Sequence, residues 1–264
     1  MPPLALVGNL SRDVVDGGLP RIGGGAFHGA RALRALGVRA SVVTRCGPEE
    51  RALYLRRLAA LGLPVRVLRG TATTAFAFRY EGDRRIMEVV AAGDAWSVAD
   101  VGAVERRAWV HVAPLLRSDF SPETLAALAR GRRLSLDGQG LVRVRETGSL
   151  RLDPDFDPAL LEHIAILKLA EEEAAVLLGE VDAASVRTFG VPEVVVTYGS
   201  RGSVVFADGR SDAVGAWPIA RDPTGSGDAF AVAYLAARAG GHVPVAAARR
   251  ATALVAALLS GRAR

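Results

Sequence analysis

Residues 163–178, HIAILKLAEEEAAVLL, join a short apolar run to a segment with apolar residues at helical spacing. The run at 163–169 predicts a buried strand, and 171–178 predicts the helix that follows it. Further strands are predicted at 4–8, 41–44, 109–113, 133–137 and 193–199, and further helices at 25–36, 48–61, 121–130 and 183–189. Buried strands that alternate with helices predict an α/β fold with a parallel sheet covered on both faces.

Two segments interrupt this alternation. Residues 73–80 and 84–90 alternate as strands around the turn EGD, which predicts a β-hairpin. The segment 14–24 predicts a further short strand. We therefore expect one domain over residues 1–264, with lid strands within about 14–24 and 72–90 that project over the mouth of the sheet.

Composition and targeting signals limit the cellular context. Half of the 264 residues are hydrophobic, yet the longest apolar runs, such as 251–260, are too short to span a bilayer. The first residues lack the basic region and long apolar segment of a signal peptide. Cys46 is the single cysteine, so an internal disulfide is excluded. The sequence predicts a cytoplasmic protein that does not bind membranes.

The formal net charge of +5 raises the question of nucleic-acid binding. The arginines are spread over the whole chain, and no aromatic residues interleave with them as a stacking surface would require. We therefore expect no nucleic-acid partner. Attraction of small anionic molecules accounts better for the charge.

Lysine usage excludes two kinds of phosphate site. Lys168 is the only lysine, and no glycine-rich loop precedes it. A P-loop requires a lysine before Ser or Thr, and a protein kinase requires a strand lysine over the phosphates. Any phosphate must then be held by backbone N–H groups, arginine or metal.

The stretch RDPTGSGDAF at 221–230 predicts such a backbone site. Pro223 keeps the preceding aspartate extended, and Gly225 and Gly227 permit a tight turn before an apolar helix. The first N–H groups of a helix have no partners within it, so they bind anions. Asp228 in that first turn could orient or deprotonate a hydroxyl. The alternative is an ordinary turn in which Asp228 complements the helix dipole.

This stretch resembles the C-terminal signature D-T-x-G-A-G-D of the ribokinase-like (PfkB-type) carbohydrate kinases. The resemblance implies a three-layer α/β/α sandwich with a mostly parallel central sheet and a small β-hairpin lid. It also implies that Gly225, Ser226 and Gly227 form the anion hole for the transferred phosphoryl group. Asp228 would be the catalytic base, and Thr224 would contact the phosphate donor.

Further segments resemble the family in the expected order. GNLSRD ends at Asp13, which the resemblance assigns to substrate hydroxyls. GGGAFHGARALRALG resembles the first signature, and its match implies that Gly24, Gly25 and His28 line the substrate site. The family asparagine is His28 here, so substrate identity stays open. A helix histidine packed against the sheet is the alternative for His28.

TYGSRGSVVF resembles the family's T-x-G-x-x-G turn, which implies that Thr197, Gly199 and Gly202 contact the phosphates of ATP. LKLAEEE resembles the N-x-x-E segment, and Glu173 would help to hold Mg²⁺ through water. The family asparagine is Ala170 here, so part of that network is missing or replaced. A solvated first turn is the alternative for the glutamates.

The resemblance implies an ATP-dependent kinase that phosphorylates a hydroxyl of a small polyol: a sugar, an inositol or a nucleoside. It allows a monovalent cation such as K⁺ as a further cofactor and a homodimer that forms through the lid. A catalytically impaired binding or regulatory protein is the first alternative, and Ala170 favours it. The second is a Rossmann-type oxidoreductase, although its glycine fingerprint is absent from the first strand.

Overall fold

The computed structural model describes residues 3–81, 84–217 and 224–261. Its strands are β1 (Leu4–Asn9), β2 (Ser11–Val15), β3 (Arg21–Gly23), β4 (Ala40–Cys46), β5 (Val65–Arg69), β6 (Thr74–Glu81), β7 (Arg84–Ala91), β8 (Trp109–Ala113), β9 (Arg133–Asp137), β10 (Gly148–Ser149), β11 (Ile164–Ala170), β12 (Glu193–Thr197), β13 (Ser203–Ala207) and β14 (Arg210–Val214). Its helices are α1 (Gly25–Ala35), α2 (Pro48–Ala59), α3 (Pro122–Ala129), α4 (Gln139–Val142), α5 (Glu171–Leu178), α6 (Ala183–Arg187), α7 (Ser226–Ala239) and α8 (Pro244–Leu259). Short 3₁₀ helices lie at Val98–Ala103, Pro158–Leu161 and Gly199–Arg201.

The large sheet has nine strands in the order β14-β13-β12-β11-β9-β8-β1-β4-β5. The pairs from β5 to β12 are parallel, and β13 and β14 add an antiparallel edge. The predicted α/β class with a mostly parallel sheet is confirmed. Parallel strands need crossover connections, and the helices supply them.

Successive residues of β11 show how the layers form. Ile166 packs with Phe230 of α7, whereas Leu167 belongs to the core on the other face together with Ala174 of α5. Helices α1, α7 and α8 cover the first face, and α3, α5 and α6 cover the second. Because side chains alternate along a strand, a strand covered on both faces is apolar at most of its positions.

The start of α3 agrees with the sequence prediction. Ser121 is its N-cap, and the side chain accepts a hydrogen bond from the backbone N–H of Thr124. Pro122 occupies the first helical position, where its missing N–H costs nothing. Strands β5, β10, β13 and β14 were not predicted. Strand β14 is exposed except for Val214, so it carries no apolar pattern.

A second sheet has five strands in the order β10-β7-β6-β2-β3. Strands β6 and β7 pair antiparallel as the hairpin predicted at 73–80 and 84–90, and residues 82–83 of its turn lie outside the described residues. The segment 14–24 contains the end of β2 and all of β3. One face of this small sheet packs through Phe76, Phe78 and Val89 against the loop that follows β8.

Among the residues that the structure describes, no helix is both long and apolar enough to cross a membrane.

Candidate active site

The turn before α7 has the geometry of an anion site. Gly225 is the N-cap of this 14-residue helix and adopts the left-handed conformation, with φ 79°. The N–H of Ala229 donates to the Gly225 carbonyl at 2.9 Å. The first N–H groups of a helix have no partner within it, so those of Ser226 and Gly227 can bind an anion. Asp222 and Pro223, whose extended backbone the sequence predicts, lie outside the described residues.

The start of α1 approaches this turn closely. A Cβ on Gly25 would lie 2.9 Å from Oδ1 of Asp228, and a Cβ on Gly225 would lie 2.4 Å from the imidazole of His28. Gly24, the N-cap of α1, has φ 90° and lies against the backbone of Asn9. The paired glycines thus let two helix N-termini meet at one point.

Asp13 is held in a fixed orientation on β2, next to the edge strand β3 of the small sheet. Its Oδ1 accepts a hydrogen bond from Ser11 Oγ at 2.7 Å, and the side chain is buried. A Cβ on Gly23 would lie 2.0 Å from Oδ2 of Asp13, so only glycine leaves room for the carboxylate. Asp13 and His28 line the same cavity, as the sequence predicts for a substrate site.

That larger cavity has a volume of about 960 Å³ and lies between the small sheet and helices α1, α2, α7 and α8. His28 faces it, which contradicts the alternative of a histidine packed against the large sheet. Thr224 also lines this larger cavity, and it is not among the lining residues of the smaller cavity that contains the other predicted donor residues.

A smaller cavity of about 340 Å³ contains the predicted donor residues Thr197, Gly199 and Gly202. Gly199 and Gly202 have φ values of 57° and 100°, which other residues rarely adopt. Trp217 adds an aromatic wall that is 67% exposed. Ser226 lines both cavities, so the two meet at the turn before α7.

Lys168 lies beneath this turn. A Cβ on Gly227 would be 3.1 Å from Nζ of Lys168, and that ammonium lies 3.5 Å from Oδ2 of Asp137. Burial alone would lower the pKa of Lys168, but the carboxylates of Asp137, Glu173 and Asp228 hold it above the ordinary lysine value. Lys168 is therefore charged at neutral pH.

Sequence reasoning assigned no part to this lysine. The available signal was a charged residue within an otherwise apolar strand, two positions before Ala170. A buried charge needs partners, so such a residue points to a polar site. The location beside Gly227 depends on the packing of α7 against the sheet, which no local pattern reports.

Glu173 is distinct from the two glutamates that precede it. Glu171 and Glu172 are exposed, and Glu171 forms an ion pair with Arg201, as a solvated first turn would. Glu173 is buried, and its Oε2 accepts a hydrogen bond from the N–H of Ala170 at 2.8 Å. Burial raises its pKa, although the nearby Lys168 opposes that rise.

The fit of Mg²⁺ to this position follows from these contacts. In the described ranges, no group of three or more His, Cys, Asp or Glu side chains forms a direct metal site. Within the same ranges, Oε1 of Glu173 has no hydrogen bond from the protein. The residues therefore fit an ion held mainly by phosphate oxygens and water, with Glu173 contacting a bound water.

Comparison with known proteins identifies the family of this site. The sequence model of the pfkB family carbohydrate kinases matches residues 20–262. The chain is similar to a pyrophosphate-dependent kinase in the ribokinase family, solved with a pyrophosphate analog and myo-inositol. Their identity is 28% over 99% of this chain and 97% of the other, with a TM-score of 0.86. The chain is also similar to a pyrophosphate-dependent kinase in the ribokinase family that was solved as a sulfate complex. Their identity is 29% over 99% of this chain and 95% of the other, with a TM-score of 0.84.

Arabidopsis thaliana ribokinase, solved with ribose and ATP, shares the fold. The TM-score is 0.74 at 21% identity, over 98% of this chain and 93% of the ribokinase. The ribokinase-like α/β fold predicted from the motifs is confirmed. The chain belongs to the pfkB family of carbohydrate kinases.

Proposed function

We propose that this kinase transfers a phosphoryl group to a hydroxyl of a small polyol: a sugar, an inositol or a nucleoside. One observation carries the proposal. Ser226, two residues before Asp228, lines both the larger and the smaller cavity. A hydroxyl from one cavity and a phosphate from the other can therefore meet at a helix N-terminus that carries a carboxylate.

In the proposed step, the substrate oxygen forms a bond to phosphorus while the bridging P–O bond to the leaving phosphate breaks. Asp228 accepts the hydroxyl proton. The N–H groups of residues 225–228 and the ammonium of Lys168 stabilise charge on the transferred oxygens. A helix N-terminus lowers the basicity of Asp228, which a loose phosphoryl-transfer transition state tolerates. The small sheet acts as a lid that excludes water.

Mg²⁺ fits this scheme as an ion bound to the donor phosphates. It would supply positive charge that neutralises the phosphate oxygens. Glu173 would hold it through a water molecule. Asp137 lies on the other side of Lys168 and keeps the ammonium in place.

We propose ATP as the donor, because the lining of the smaller cavity combines two chemically different groups of residues. Thr197, Gly199 and Gly202 provide polar groups and backbone. Trp217 and Val255 provide aromatic and apolar surface. A nucleobase would bury against that apolar surface, whereas pyrophosphate has no part that needs it.

Pyrophosphate is the second candidate donor. The similarity to pyrophosphate-dependent kinases at 28% and 29% identity favours it. The polar residues of the smaller cavity would serve either donor. A panel of acceptors assayed with each donor separates the two: turnover with pyrophosphate and not with ATP would exclude ATP as the donor.

The variant Trp217→Ala tests how the donor binds. We expect it to raise KM for ATP about tenfold, because stacking of a base on an aromatic side chain contributes about 1–3 kcal/mol. KM for pyrophosphate should not change. Steady-state kinetics with both donors measure this, and an unchanged KM for ATP would contradict a base bound at Trp217.

The variant Asp228→Asn tests whether Asp228 is the catalytic base. We expect kcat to fall about 10²–10⁴-fold, because general-base catalysis contributes that much. The far-ultraviolet circular dichroism should match the unchanged protein. Asp212→Asn, an exposed position on β14, is the matched control and should keep full activity. An Asp228→Asn protein with activity within a few-fold of normal would overturn the assignment.

A further inference from the structure

Arginines from three different walls converge on the larger cavity. Arg21 on β3, Arg31 on α1 and Arg57 on α2 all line it. Of the described residues in that lining, Asp13 alone carries a carboxylate. The cavity is therefore positively charged, apart from the position that would bind substrate hydroxyls.

Within the described ranges, none of these three guanidinium groups forms an ion pair with a carboxylate of the protein. Arg45 and Arg238, which are more buried, pair with Asp100 at 2.6 Å and Glu193 at 2.9 Å. The arginines that support the fold are paired, whereas those that line the cavity are exposed to a ligand.

Two of the arginines adjoin the predicted substrate residues. Arg21 lies directly opposite Asp13 in the pairing of β3 with β2, so both side chains are on the same face of the small sheet. Arg31 follows His28 by three positions on α1, which puts the two side chains on the same helical face.

The third arginine, Arg57, lies on α2, and a neighbouring residue of that helix is hydrogen-bonded to β2, the strand of Asp13. Arg57 follows Tyr54 by three positions, and the Tyr54 hydroxyl donates a hydrogen bond to the carbonyl of Ser11 at 3.2 Å. Ser11 in turn donates its hydroxyl to Asp13. All three arginines therefore lie on the walls of the cavity that Asp13 and His28 also line.

The volume of the cavity leaves room for more than an unsubstituted polyol. Its 960 Å³ is at the upper end of the range of about 300–1,000 Å³ for drug-sized ligands. Arginine binds phosphate and carboxylate groups through paired N–H donors. We infer that the acceptor is an anionic polyol, whose phosphate or carboxylate binds among Arg21, Arg31 and Arg57. This inference deepens the proposed function and rests on it.

Matched pairs of acceptors test the inference: fructose 6-phosphate against fructose, and gluconate against sorbitol. Isothermal titration calorimetry measures binding, and product formation is followed separately with ATP and with pyrophosphate. We expect the charged member of one pair to bind at least about tenfold more tightly, because charge-assisted hydrogen bonds are the stronger ones. Tighter binding of fructose 6-phosphate than of fructose would show that the site prefers a phosphate group. Tighter binding of gluconate than of sorbitol would show that it prefers a carboxylate.

Arginine variants show which side chains cause the tighter binding of the charged acceptor. Arg31→Gln and Arg57→Gln should each weaken binding of the charged member about tenfold and leave the neutral member unchanged. Arg56→Gln is the control, because Arg56 is exposed on the same helix and does not line the cavity. Equal effects of Arg56→Gln and Arg57→Gln would overturn the inference.

The two measurements separate this inference from the proposed function. Tight binding of a charged member without product would support the anionic ligand and overturn the kinase reaction. Product from neutral members alone would support the kinase and overturn the anionic acceptor. Equal binding of both members, or binding of neither, would also overturn the anionic acceptor.

Discussion

Lys168 shows how one side chain can serve the fold and the site together. Its ammonium is buried beside Asp137, and it also faces Glu173 and Asp228. Without that positive charge, the three carboxylates would repel one another and the proposed anion hole would lie above a net negative charge. The lysine therefore makes the proposed anion site compatible with its acidic surroundings.

We expect Lys168→Met to lower the free energy of unfolding by about 3–5 kcal/mol, because it leaves buried carboxylates without their counter-charge. Adding Asp137→Asn should restore about 1–3 kcal/mol of that loss. Urea denaturation followed by circular dichroism measures both variants. A loss below about 1 kcal/mol for Lys168→Met would contradict a structural role for the ion pair.

At the scale of elements, the site depends on the close approach of two helix N-termini. The start of α1 supplies His28, and the start of α7 supplies Gly225 and Asp228. The helices can meet only because the residues between them lack side chains. Both helix dipoles then direct positive potential toward the place where a phosphate would bind.

The variant Gly225→Ala tests this approach. Its new Cβ would lie 2.4 Å from His28 and would have to adopt φ 79°, so we expect kcat/KM to fall at least about tenfold, with a stability loss of about 1–3 kcal/mol. Gly241→Ala is the matched control: Gly241 has φ 88° and nothing within 4 Å of its Cβ. It should lose about 1 kcal/mol of stability and keep full activity. Equal activities of the two variants would contradict the prediction.

At the scale of the whole molecule, a buried ion pair connects the two sheets. Asp119, in the loop after β8, accepts from the N–H of Leu115 at 2.8 Å and pairs with Arg145 at 2.7 Å. Arg145, which precedes β10, also donates to the carbonyl of Gly93, just after β7. Arg145 therefore connects the segments beside β7 and β10 of the small sheet to the loop that follows β8 of the large sheet.

We expect Arg145→Ala to destabilise the small sheet more than the large one. Removal of the arginine leaves the fully buried Asp119 without its counter-charge, at a cost of about 2–3 kcal/mol because Arg145 itself is partly exposed. Hydrogen exchange should become at least about tenfold faster in residues 84–91.

The control for Arg145→Ala is an arginine on the other side of β10 in the chain. Arg151→Ala removes an exposed arginine that pairs with the exposed Glu146, and it should change exchange little. Residues 109–113 of the large sheet provide the internal reference. If hydrogen exchange in the Arg145→Ala protein became faster by the same factor in both sheets, the ion pair would stabilise the whole molecule rather than the contact between the two sheets.

Much of the fold follows from local pattern. The central strands β1, β8, β9 and β11 are mostly apolar because they are covered on both faces, so short apolar runs predict them directly. Strands β14 and β10 are exposed, and their residues carry no pattern that separates them from loops. The glycine turn and the helix that follows it were also predictable, because helix starts have characteristic residues. The role of Asp228 follows from the family resemblance and stays a prediction.

The sequence by itself determined the α/β class, the family, and the turn that begins α7. Each of these depends on residues adjacent in the chain, whose spacing expresses backbone conformation and burial. Only the tertiary structure decided that Lys168 lies under Gly227, that Ser226 joins two cavities, and that Arg21, Arg31 and Arg57 face one of them. Those groups come from distant segments, and their proximity results from packing between layers rather than from any local preference.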